Sequence, residues 1–454
     1  MRRRTGARQG TRPVRHAFRA RSAAVGALLL CTTAALPAPM ALAAGSPGPY
    51  GFAPDATSVT GAPTPAGAKP LTAGTTYRSS LPGDGPVHYS LDLDATSDTY
   101  VSATAAPDPG STVSAGEGIK VTVQDAAGRS CSFDTETFGV VRSARPIAAW
   151  GAREISADRP RCKTAGTYHV VVERVGTPVS APDDWDLELF VVSEPALRKP
   201  VAAEVPEAWN SQTPRPATGD AIPREGGSGF ASAVPVGPGV WTSRIEPGGT
   251  LFYRVPVGWG GQLSATAELG ATDSRGGYTT GALSLELYNP ARGFVDDVAA
   301  NYAGRRREAA SLPPLPPVAY ENRYAGPDRL GAMRFAGSYY LVVHLASEVA
   351  EKFGDGPFDV ALRVRVDGSE KSAPDYAGES RPDDVFEAAP VDLDLDLGEV
   401  TGGASSGGTA GGGGSGRGDA AMTVLAVSGI GTGTALLGVL GVWSVVARRR
   451  LGGS

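Results

Sequence analysis

Cysteine, histidine and methionine are all scarce: the 454-residue chain has 3, 4 and 4 of them. With them go the usual signatures of chemistry. There is no H-E-x-x-H, no G-x-S-x-G, no phosphate-binding Gly-rich loop and no paired Cys-x-x-Cys, so the common zinc, nucleophile and phosphate motifs are absent together. Beyond the first segment the histidines are His88, His169 and His344. Each falls inside a predicted strand, away from a second ligand type at metal-binding spacing, and a solvent-facing strand position is expected for all three. Helical periodicity is missing as well: the apolar runs between Val87 and Val366 are too short for typical helices. No cofactor and no catalytic activity are expected.

Both ends carry targeting patterns. Eight arginines precede Ser22, an apolar run extends from Ala23 to about Leu36, and Ala41-Leu42-Ala43 has the small residues of a cleavage site, which is the order of a signal peptide. Residues 421–447 are uncharged and end at Arg448, Arg449 and Arg450. That length and the flanking basic residues predict a single transmembrane helix, with the tail in the cytoplasm and the region before it outside. Setting aside the arginines of both ends leaves 31 bases against 47 acids, about −16 for the external region, which gives no bulk attraction to nucleic acid.

The interior repeats itself. "AGTYHVVVERV" from Ala165 returns as "AGSYYLVVHLA" from Ala336, and four further strand-like runs return in the same order. "VHYSLDLD" is answered by "LFYRVPVG", "TYVSATAA" by "QLSATAEL", "GIKVTVQD" by "ALSLELYN" and "WDLELFVV" by "FDVALRVRV". Short alternating runs broken by Gly, Pro, Asp and Ser predict strands, and a matched set predicts two copies of one β-sandwich. The fold class read from this is all-β: two tandem jelly-roll-like β-sandwiches plus one C-terminal transmembrane helix. The expected segments are a signal peptide at 1–43, a Gly/Pro-rich linker at 44–70, sandwich 1 at 71–195 and a Pro-rich linker at 196–226. Sandwich 2 follows at 227–368, then an acidic and Gly/Ser-rich tether at 369–420, the membrane helix at 421–447 and a cytoplasmic tail at 448–454.

The copies differ most between their third matched strand and the Ala-Gly turn, where each has a long excursion. Copy one places Cys131 and Cys162 there. An even count in an exported region reads as one disulfide, and chain entropy assigns about 3.7 kcal/mol to a loop of that length. Copy two has the Pro-rich "RRREAASLPPLPPVAYENRY" instead. The excursions also hold the candidate contact residues, Phe138 and Trp150 in copy one and Tyr302, Tyr320 and Tyr324 in copy two. Rings of this kind serve either as a binding surface or as a cover for the sandwich end. Asp92, Asp94 and Asp98, and Asp392, Asp394 and Asp396, offer oxygen atoms but lack the glycine and closing glutamate of an EF-hand loop, and solvated carboxylates are expected.

The repeats resemble the bacterial pre-peptidase C-terminal (PPC) domain, on "PGDGPVHYSLDL" with "CKTAGTYHVVVERV" and on "EPGGTLFYRVPVGWG" with "LYNPARG" and "RFAGSYYLVVHLA". Copy two is also similar to segments that follow von Willebrand factor A domains in exported actinobacterial proteins, on "EGGSGFASAVPVGPGVWTSRIEPGGTLFYRVPVGWGGQLSATAEL". The resemblance implies a noncatalytic module attached to an exported enzyme. No peptidase or von Willebrand domain accompanies the repeats in this chain. The function expected is therefore a cell-surface, membrane-anchored binding or scaffolding protein, with an accessory subunit of a separately encoded exported enzyme or von Willebrand factor A-type complex as the alternative. The expected partners are the membrane, through one span, and an extracellular protein or cell-wall polymer.

Overall fold

The computed structural model describes residues 48–155, 161–177, 183–199, 208–273 and 277–389. Ten strands form the first half: β1 (Thr57–Ser58), β2 (Lys69–Leu71), β3 (Thr76–Leu81), β4 (Val87–Leu93), β5 (Asp98–Ala106), β6 (Gly118–Asp125), β7 (Ser130–Thr137), β8 (Ile147–Arg153), β9 (Gly166–Val175) and β10 (Trp185–Glu194). Ten more form the second: β11 (Ala221–Pro223), β12 (Val234–Pro235), β13 (Gly239–Ile245), β14 (Thr250–Val257), β15 (Gly261–Leu269), β16 (Thr279–Tyr288), β17 (Phe294–Tyr302), β18 (Glu308–Ser311), β19 (Gly337–Leu345) and β20 (Phe358–Gly368).

The two sets pair identically. In the first half the sheets run β1-β3-β10-β5-β8 and β2-β4-β9-β6-β7; in the second they run β11-β13-β20-β15-β18 and β12-β14-β19-β16-β17. Numbering the eight main strands of a half from its third, the first lies beside the eighth and the second beside the seventh, so the chain winds as a jelly roll. The short leading strands add parallel edges through β1–β3, β2–β4, β11–β13 and β12–β14.

Alternation builds each core. On β4, Val87, Tyr89 and Leu91 point inward while His88 and Ser90 are half-buried on the other face. They meet Val101, Ala103, Leu187 and Leu189 of the opposite sheet, and the second core repeats this with Tyr253, Leu285, Leu341 and Leu362.

The repeated Ala-Gly-x-Tyr stretch is a structural device. Gly166 has φ 142° and Gly337 has φ 131°, angles that glycine adopts without strain. Two residues on, the buried Tyr168 donates its hydroxyl hydrogen to the Thr164 carbonyl at 2.8 Å, and Tyr339 does the same to Phe335 at 2.9 Å. In each copy the tyrosine ties the strand start to the backbone four residues upstream, while its ring fills the core.

Several boundaries move. Residues 44–70 hold β1 and β2 rather than a free linker, and β11 lies within the second linker. The long excursions are not loops: each supplies two edge strands, β7 and β8 in the first half and β17 and β18 in the second. Cys131 and Cys162 are joined, S–S 2.02 Å, and pack against the first core. The start of the expected tether folds back: Arg381 exchanges backbone hydrogen bonds with Ser193, and Ala377 donates to Ala196.

Membrane anchorage is corrected. Among the described residues no helix is long and apolar enough to cross a membrane. The longest α-helix there, Glu348–Phe353, has 6 residues, about 9 Å of rise against the ~30 Å of a hydrocarbon core. Over the described residues the fold class is therefore all-β, with no transmembrane helix. The membrane as partner, the single-pass cell-membrane localisation and the membrane-anchored function fall with it. The expected leader, the acidic run 391–397 and the 421–447 segment lie outside the described residues.

The paired tyrosines generate a prediction. Tyr168→Phe and Tyr339→Phe are each expected to lower stability by about 1 kcal/mol, the net worth of one hydrogen bond, and to add nearly independently in the double variant. Urea denaturation measures it; a value near zero for both shows that the rings alone hold the turn.

Candidate functional site at the junction between the sandwiches

Four strands have no solvent face. On β5 every residue from Thr99 to Ala106 is buried, and β10, β16 and β19 are nearly as continuous. One face of each feeds its own core. The other faces meet across a junction between the sheets β1-β3-β10-β5-β8 and β12-β14-β19-β16-β17. Two apolar clusters join them. One gathers Tyr50, Ala106 and Ala148 with Phe230, Phe252, Tyr288 and Val342; the other gathers Tyr100, Ala152, Phe190 and Val192 with Ala291, Phe335 and Phe386.

Among the described residues, four buried arginines pair with carboxylates across this junction. Arg145 Nε lies 2.7 Å from Glu286 Oε1, Arg292 Nη1 2.5 Å from Glu188 Oε1, and Arg323 Nη2 2.6 Å from Glu194 Oε1. Arg334 pairs with Glu154. In every pair one partner belongs to each sandwich, and no side chain among the eight is more than 12% exposed. A tyrosine hydroxyl completes three of the carboxylates: Tyr50 donates to Glu188, Tyr288 to Glu286, and both Tyr100 and Tyr376 to Glu194.

Local structure aims each arginine. Arg292 sits in the β16–β17 turn at φ 57°, where Asn289 Oδ1 accepts the N–H groups of Ala291 and Gly293. Gly293 lies flat under Trp150; a Cβ there would come within 2.5 Å of the indole. Arg145 donates from Nη1 to the Phe138 carbonyl at 3.1 Å. Arg323 folds over the Tyr320 ring, 3.5 Å from its centroid, on the short 3-10 segment Tyr320–Tyr324. Asn322 anchors that segment by donating to the carbonyls of Pro317 and Met333.

Burial and charge act together here. For Arg145, burial pulls the guanidinium pKa down, but Glu286, Tyr288 and Glu136 together turn the net direction up; Glu188, Tyr50 and Tyr340 do the same for Arg292. Burial, and then the neighbouring carboxylate, raises Tyr50, Tyr100 and Tyr288 well above the usual phenol value, so all three remain donors.

The residues expected to make contacts are distributed differently. Phe138 is core, 0% exposed and edge-on to Trp185, and Tyr302 is core at 1%, donating to the Gly270 carbonyl, so neither is available as a contact surface. Trp150 is stacked on Tyr100 within the junction. Tyr320 is the plate under Arg323, and Tyr324 is half-buried beside it.

His344, expected to face solvent, is 0% exposed on the junction face of β19, its Nδ1 2.9 Å from Thr250 Oγ1. Burial, and then the positive charge of Arg145, pushes its pKa down to about 3. Half-buried His88 is lowered too, by burial and then His169. Among the described residues no group of three His, Cys, Asp or Glu side chains is placed to hold a metal ion.

Sequence reading missed the bridging residues. A signal was present, since "LELF" at Leu187–Phe190 and "LELY" at Leu285–Tyr288 each place one glutamate between apolar residues of a short run. Those are Glu188 and Glu286, and an acid so placed needs a partner from another element.

No protein-family model matches the chain, and no curated protein does. Among solved structures, it is similar over 66% of its length to 24% of the chain of tripeptidyl peptidase 2 (TPP II), at 7% identity and TM-score 0.21. It is also similar to the tandem CBM22-1–CBM22-2 domain of Paenibacillus barcinonensis Xyn10C, at 12% identity over 63% of this chain and 83% of that one, TM-score 0.18. A third is the CUB1-EGF-CUB2 domain of human MASP-1/3, at 7% identity over 64% and 99%, TM-score 0.15. At such scores these likenesses carry no argument about function.

The bridges predict a specific asymmetry. Arg145→Ala or Glu286→Ala alone strands a buried charge and is expected to cost about 3–5 kcal/mol, whereas replacing both with Met is expected to cost much less. A double-mutant cycle by denaturant unfolding reads the coupling. Singles costing under about 1 kcal/mol would show that solvent reaches the pair.

Proposed function

We propose that this chain is a noncatalytic binding or scaffolding module whose two sandwiches act as one rigid body. The observation that supports it is the junction: two apolar clusters and four enclosed ion pairs hold the inner sheets face to face. Domains in one chain move relative to each other unless their interface is large and apolar, and this one orients its apolar contact by bidirectional charge pairing. The segments before β1 and after β20 reinforce it, Tyr50 and Phe386 each contributing a ring to a junction cluster.

Recognition then falls to the outer sheet faces and turns, which the junction leaves free. The outer sheet β2-β4-β9-β6-β7 carries Phe133, 66% exposed, beside Lys120.

Arg323→Ala removes the contact to Glu194 and Asp98 without touching either core. We expect it to leave both cores folded, to loosen the junction, and to lower capture of the native binding partner at least tenfold per folded molecule. Equal capture by variant and wild type, measured by quantitative cross-linking, overturns the rigid-body reading; turnover of a substrate by the purified chain overturns its noncatalytic part.

A further inference from the structure

The outer sheet β2-β4-β9-β6-β7 brings two of the chain's 4 histidines together. β4 and β9 are antiparallel neighbours, with His88 opposite Val171 and Ser90 opposite His169. Val171 and His169 lie two apart on β9, so His88 and His169 share one face of the sheet as diagonal neighbours. That face is the outer one, because the residues that alternate with them, Val87, Tyr89, Val170 and Val172, all belong to the core. Diagonal neighbours on antiparallel strands are roughly 7–8 Å apart at Cα, within reach of long and aromatic side chains.

Both rings are half-buried, and in both the Nδ1 atom is enclosed without a hydrogen-bond partner among the described residues. A neutral imidazole has one nitrogen that donates and one that accepts, and an enclosed polar atom left unmet is destabilising. A single cation shared by the two Nδ1 lone pairs satisfies both rings at once and leaves each Nε2 to carry the proton. The charged neighbours are already engaged. Glu173, the other diagonal neighbour of His88, is bonded to Lys120 at 3.0 Å, and Lys120 lies over the Phe133 ring. Ser90 and Gln124 flank His169 in the register, so neutral side chains border the pair there. Cys131 and Cys162 are joined in a disulfide and His344 is enclosed in the junction, so among the described residues no thiolate or third imidazole competes.

We propose that His88 and His169 form a binding site for one imidazole-seeking divalent transition-metal ion, of the zinc, nickel or copper class, on the outer face of the first sandwich. Imidazole nitrogen suits these ions, whereas calcium and magnesium take oxygen ligands. The neutral ring is the form that ligates. Burial, and then the neighbouring His169, lowers the His88 pKa and so keeps its ring in that form. Among the described residues no third His, Cys, Asp or Glu completes the pair. Two imidazoles against the about four ligands of a closed structural zinc site leave coordination positions open. The ion is therefore exchangeable and has room for water or for a donor atom of a bound partner. The site is independent of the junction and of whether the sandwiches act as one body.

The test is a zinc chloride titration of the intact chain near neutral pH in a non-chelating buffer, followed by the imidazole carbon–proton NMR signals, with calcium chloride as the control. His88 and His169 are expected to respond together at one shared micromolar midpoint, with one equivalent of zinc bound by calorimetry. His88→Ala is expected to weaken the response of His169 at least tenfold, and His169→Ala that of His88. Separate midpoints for the two rings, or one ring responding unchanged after the other is removed, would show an adventitious ion only and overturn the site. Absence of any response at millimolar zinc overturns it as well, and calcium shifting both rings equally overturns the metal class. Should an alanine variant fail to fold, His88→Gln or His169→Gln, which keeps a polar tip, takes its place with the same expectations. Each of these outcomes leaves the rigid-body reading untouched.

Discussion

The inner strands of the two sandwiches have no side that faces water, and the rest of the architecture follows from that. A β-strand that buries both faces must present apolar or fully paired side chains at every position. On β10 the sequence Leu187-Glu188-Leu189-Phe190-Val191-Val192 meets this requirement by giving odd positions to the core and even positions to the junction. β16 does the same, with Glu286 and Tyr288 turned to the junction and Leu285 and Leu287 to the core. Small residues on β5 and β8, among them Ala106, Ala148 and Ala152, let the aromatic residues of the other sandwich approach.

The bridges are better understood as setting orientation than as adding stability. Taking a guanidinium and a carboxylate out of water costs about as much as their attraction returns, so apolar replacements of similar size can be as stable. A wrong mutual rotation, however, would strand four arginines and four carboxylates in a dry interface. The apolar clusters supply the attraction between the sheets, and the charges admit a single register.

Much of the individual sandwich was legible in the chain. Period-two alternation located five strands in each half, and the repeat of Ala-Gly-x-Tyr marked the same strand start twice, because only glycine takes the positive φ of that turn and only tyrosine both fills the core and reaches the carbonyl four residues back. The strands β7, β8, β17 and β18 were read as loops. Edge strands such as β17, half-buried along much of its length, carry a weak alternation that composition alone does not separate from an irregular segment. The membrane reading was drawn from residues 421–447, and the described residues hold no helix that fulfils it.

What the sequence determined by itself was local: the strand periods, the doubled order of the repeat, the glycine turns and the even pair of cysteines. These depend on neighbours within a few residues or on counting. Tertiary structure decided which face of each strand was spent, and so turned Phe138 and Tyr302 into core, His344 into a buried neutral imidazole and Tyr320 into the plate for Arg323. It also decided which arginine met which glutamate, across 104 to 180 residues of chain. A charge in a strand announces that it needs a partner, but the partner comes from packing two separately folded sheets together, and no local spacing encodes that distance.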